Sequence, residues 1–61
     1  MTNNITKVEI IGMGMRGTVI HQREDDRGEP IITVAVDNWQ LEGLPRREFI
    51  CRVGEIRILP Y

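Results

Sequence analysis

Glycines at 12, 14 and 17, in the stretch VEIIGMGMRG, follow an apolar run with the spacing Gly-x-Gly-x-x-Gly. Backbone without side chains at that spacing can approach a pyrophosphate, and an acid some way downstream can hold a ribose hydroxyl. Asp37 stands 20 residues after Gly17, at the end of IITVAVD, where such an acid belongs. A second set could recognise a ligand without reacting with it: Arg46, Arg47, Arg52 and Arg57, with Trp39, Phe49 and Tyr61. Arginine and tryptophan are the residues most often found as binding anchors, through planar hydrogen bonding and large desolvated area.

The other reactive types are sparse. His21 is the only histidine and has no serine or cysteine nucleophile at a suggestive spacing, so it reads as an exposed strand residue. Cys51, the only cysteine, alternates with Phe49 and Val53 and reads as a buried small apolar residue. Glu24, Asp25, Asp26 and Glu29 read as a solvated hairpin tip rather than a cation site. A cysteine-based zinc site is excluded, and no carboxylate spacing suggests another metal. These residues do not make up an enzyme active site, and no cofactor is expected.

Strands must position these groups. KVEII alternates, with Val8 and Ile10 on one face and Lys7 and Glu9 on the other. A helix over residues 16–27 would need an apolar stripe at spacings of three and four, and Gln22 to Arg27 contains no apolar residue. Thr18, Val19 and Ile20 are β-branched and suit a strand instead, with EDDRGEP as the turn after it. PIITVAV is the clearest strand, with Ile32, Val34 and Val36 on one face and Ile31, Thr33 and Ala35 on the other. WQLEGLPRR is a short strand or a loop, interrupted by Gly43 and Pro45. EFICRV alternates again, and GEIRILPY closes the chain with Ile56 and Ile58 opposite Arg57. Trp39 is expected to be at least partly buried, as a cap on a small core.

Sixty-one residues make one small domain, with residues 1–5 as a frayed polar start and 6–61 as the folded unit. At typical values its stability is only roughly 3 to 9 kcal/mol. A lone cysteine suits a reducing compartment, and no run approaches transmembrane length, so the expectation is a soluble cytoplasmic protein. The formal net charge is −1, which gives no overall attraction to nucleic acid or anionic membrane. The distribution is uneven, however. Residues 1–45 hold four basic and seven acidic side chains, and the rest hold four arginines and two glutamates. Glu48 and Glu55 are the acids placed to pair with those arginines.

Two resemblances follow. KVEIIGMGMRG and VAVD resemble the opening of nucleotide-dependent oxidoreductases of the glucose-fructose oxidoreductase type, which would imply a dinucleotide held by Gly12, Gly14, Gly17 and Asp37. The missing helix stripe and the short remainder, residues 38–61, argue against it. EIIGMGMRGTVI and EFICRVGEIRIL together resemble small SH3-like barrels, including KOW-type modules, with a 3₁₀ bend at Cys51 to Glu55. That likeness implies a five-stranded antiparallel barrel that binds protein or nucleic acid and shares no catalytic residues. Closure of the barrel would remove the sheet edges.

Two functions compete. The first is a non-catalytic protein-binding module: an accessory, adaptor or inhibitor domain. The second is a nucleic-acid module using the C-terminal arginines on phosphates, with Trp39 or Tyr61 for stacking. The acidic balance favours the first. PIITVAV is apolar on both faces, so a partner subunit is expected to cover Ile31 and Ala35.

Overall fold

The structure, a computed structural model, describes residues 6–60. Tyr61 and the polar start at 1–5 lie outside the described residues. Five antiparallel strands form one sheet: β1 (Lys7–Ile10), β2 (Met15–Glu24), β3 (Pro30–Val36), β4 (Glu48–Arg52) and β5 (Ile56–Ile58), with a 3₁₀ turn at Val53–Glu55. The order across the sheet is β4-β3-β2-β1-β5. Consecutive strands pair as a meander, and β5 returns to pair with the far side of β1. The ladder stops at β4 and at β5, so the sheet keeps two edges.

The glycine stretch is divided between a turn and a strand. Gly14 has φ +67°, and its N–H donates to the Ile10 carbonyl at 2.8 Å, closing the β1–β2 turn. A residue with a Cβ is strained in that conformation. Gly17 lies inside β2, opposite Val8 and Val36. A Cβ there would sit 2.5 Å from Val34 Cγ1 and 2.6 Å from the Ala35 carbonyl oxygen. It is a glycine because β3 leaves no room for anything larger.

Residues 16–24 are strand, as the missing stripe implied, but the strand carries a β-bulge. Val19 pairs with Val34 and His21 with Thr33, so Ile20 is the extra residue and points outward. A bulge bends its strand and increases the twist, which helps a small sheet curl over its own core. The β2–β3 tip is held by Asp25, whose Oδ1 accepts the N–H of Arg27 at 2.8 Å and of Glu29 at 2.9 Å. Aspartate suits this place because its short carboxylate can bond the backbone of the turn it begins.

Val8, Ile10, Ile32, Val34, Val36 and Cys51 form the buried core, all on one face. Met15, Val19, Trp39, Leu44, Phe49 and Ile56 surround it half-buried. Trp39 and Leu44 belong to residues 37–47, which are turns and loop rather than a strand. The Leu44 N–H donates to the Trp39 carbonyl at 3.2 Å, fixing these two apolar residues as a flap over the core.

Two expectations are corrected. Ile31 and Ala35 are buried by the chain itself. Ile31 stands in register between Arg23 and Arg52, whose aliphatic stems are placed to cover it, and Ala35 between Thr18 and Glu48. These two residues need no partner subunit. Val53 does not continue the inward row of Phe49 and Cys51, because the chain turns into the 3₁₀ segment there and leaves it exposed.

Candidate functional site

The arginines are dispersed, and three of the four are engaged. Arg52 Nη1 donates to Asp25 Oδ2 at 2.7 Å, across from β4 to the β2–β3 tip. Arg57 on β5 donates to Glu9 on β1. The Arg46 guanidinium stands 5.3 Å from the centre of the Phe49 ring, within reach of a cation–π attraction. Arg47 is exposed, and its carbonyl accepts the Val36 N–H at 2.9 Å. Arg57 stands on one edge strand, and Arg46 and Arg47 lead into the other. Trp39 packs against the core, as expected of a cap. Arginines and aromatic residues are therefore not brought together as one basic face. The acids that neutralise them are also different from those expected. Glu55 Oε1 accepts the backbone N–H of Arg52 at 2.7 Å, and Glu48 has no ion-pair partner among the described residues.

The dinucleotide arrangement is absent. Gly14 and Asp37 line one shallow depression of about 300 Å³. Asp37, however, takes Lys7 Nζ on its Oδ2 at 2.9 Å, and its N–H donates to the Arg16 carbonyl. A strand follows the glycines where a phosphate site needs a helix N-terminus.

The single thiol is buried, and the acidic run contributes one carboxylate, Asp25, to the contacts that hold the fold. Cys51 is buried, and loss of hydration, then the charge of Glu55, pushes its pKa upward. A thiol that stays protonated is a poor nucleophile. Asp25 is held below its ordinary value, first by the Glu29 N–H and then by Arg52. Both of its oxygens are taken by the protein. No group of three or more His, Cys, Asp or Glu among the described residues is placed to hold a metal ion. His21 is exposed on β2. A depression of about 520 Å³ lies at this hairpin tip, but charges of both signs line it, the paired Asp25 and Arg52 among them.

A second groove, of about 390 Å³, is built differently. Its walls are Ile10 at the end of β1, Ile11 and Met13 from the turn after it, and Phe49, Ile50 and Cys51 from β4, with Glu55 of the 3₁₀ turn as the charged member. Ile11, Met13 and Ile50 are 57%, 39% and 67% exposed. Apolar side chains clustered at a surface groove mark an interaction site more often than scattered ones do. The groove runs beside the free edge of β4. Because the Val36 N–H reaches the Arg47 carbonyl, residues 47, 49 and 51 direct their backbone groups toward β3. Glu48, Ile50 and Arg52 therefore direct theirs outward. Among these, the Arg52 N–H is already satisfied by Glu55, while those of Glu48 and Ile50 face the open edge. Ile11, Met13, Glu48 and Ile50 were not in the recognition set read from sequence. The available signal was Ile50, an apolar residue out of phase with Phe49 and Cys51.

No helix among the described residues is long and apolar enough to cross a membrane. No protein family, curated protein or solved structure matches this chain.

Proposed function

We propose that this chain is a small non-catalytic protein-binding module of SH3-like build, which takes a partner strand along β4 and the partner's apolar side chains in the adjoining groove. The observation that carries this reading is the coincidence of an unpaired strand edge with exposed Ile11, Met13 and Ile50. Strand addition of this kind takes its affinity from main-chain hydrogen bonds and its selectivity from side-chain pockets. The order β4-β3-β2-β1-β5 and the 3₁₀ turn before β5 support the SH3-like part of the reading. The engagement of Arg46, Arg52 and Arg57 within the chain favours a protein ligand over a nucleic acid.

Co-purification from the native host tests it, with the tagged wild type and the Ile50→Lys variant side by side. A protein enriched by the wild type and lost with the variant is the expected result. Equal recovery by both, or nucleic acid that dissociates steeply with salt, overturns the reading.

A further inference from the structure

We infer that the strand received by the β4 edge is β4 of a second copy of this chain. This rests on the edge-binding reading above and names its partner. Antiparallel pairing about a two-fold axis at Ile50 sets Ile50 against Ile50, Glu48 against Arg52 of the second copy, and Phe49 against Cys51. Opposite charges then meet at both ends of the seam, on the same face as the apolar Ile50 pair. Glu48, which has no ion-pair partner among the described residues, gains one. Arg52 remains half-exposed while bound to Asp25, so it can serve both acids.

The backbone agrees with this register. Each Ile50 N–H meets the other Ile50 carbonyl, and each Glu48 N–H meets an Arg52 carbonyl. The return bond, from the Arg52 N–H to the Glu48 carbonyl of the second copy, forms only if that N–H leaves Glu55. Edge strands are ordinarily protected by charges that repel a second copy. Here the two charges of the edge are opposite in sign and symmetric about Ile50, which attracts one. The β5 edge is less suitable: it is three residues long, and the Ile56 N–H is already given to the Val53 carbonyl.

Sedimentation of the wild type across a concentration series, with the charge-reversed variants E48R and R52E, tests the assignment. The wild type is expected to form a dimer that dissociates on dilution. Each variant alone is expected to raise the dissociation constant at least about 100-fold, because like charges then meet twice. An equimolar mixture of the two is expected to restore a dimer, since each seam position is again of opposite sign. R52E also loses the Asp25 pair, so a melting curve establishes that each variant is folded, and I50K breaks the seam by an independent route. The inference is overturned by a wild type that stays monomeric, by single variants that still dimerise, by folded variants that do not combine, or by assemblies larger than a dimer. A monomeric wild type whose position 50 still cross-links to a different protein removes the second copy and leaves the edge as the binding site. A monomer that captures no protein there removes both.

Discussion

At the scale of residues, the three glycines that share one spacing have three different surroundings. Gly17→Ala forces a methyl group into Val34 and the Ala35 carbonyl, and is expected to cost about 1–3 kcal/mol, as overpacking does. Gly14→Ala places a side chain in a left-handed turn conformation and is expected to cost about 1 kcal/mol. Gly12 has open space around it and no positive φ, so Gly12→Ala is expected to be within about 0.5 kcal/mol of neutral. Urea unfolding of the three variants checks that order. Equal costs at all three positions would contradict this account of the stretch. Cys51 gives a second outcome at this scale. Its burial and raised pKa predict very slow reaction with a thiol reagent in the folded protein, and rapid reaction once urea unfolds it. Fast labelling of the native chain would contradict the placement of its side chain.

At the scale of elements, hairpin β2–β3 depends on one carboxylate. A pKa below the ordinary value of 3.8 means that Asp25 contributes stability when ionised. That contribution is present above the unfolded value and is lost as pH falls through the folded one. The urea midpoint is therefore expected to fall as pH drops below about 4, and Asp25→Asn is expected to remove part of that dependence. A variant with an unchanged acid limb would contradict the role of Asp25. This hairpin also shows what sequence patterning can reach. PIITVAV was legible as strand β3 because Ile32, Val34 and Val36 recur at period two, and residues 18–20 were legible because β-branched residues replaced a helical stripe. The bulge at Ile20 was not, since Val19-Ile20-His21 gives no local sign of which residue loses its partner. The groove was not legible either. It joins residues 10–13 to 49–51, which become neighbours only when β3 pairs with β4 and the 3₁₀ turn brings β5 back to β1. The partners of the arginines were not legible for a related reason. The charges are plain in the chain, but Asp25 at the β2–β3 tip and Glu9 on β1 reach Arg52 and Arg57 from positions far away along it.

At the scale of the whole molecule, a single five-stranded sheet keeps two edges and packs its core on one face, with Ile31 and Ala35 covered on the other. Lys7, Arg52 and Arg57 are paired with acids, and Arg46 faces Phe49, so the net charge of −1 is not offset by one open basic face. Short RNA and DNA at low salt are therefore expected to leave the amide spectrum of the labelled chain unmoved at Arg46, Arg47 and Arg57. Salt-sensitive shifts confined to those residues would favour a nucleic-acid module instead. Of the two open edges, the one along β4 is bordered by the apolar groove. The most direct test is a photo-reactive residue placed at position 50 in the native host, with the same residue at position 57 as the comparison. A covalent adduct with protein is expected from position 50, whether with a second copy or another chain, and none from position 57. The absence of a protein adduct at position 50, or adducts at position 57 carrying nucleic acid, would contradict the edge-binding reading.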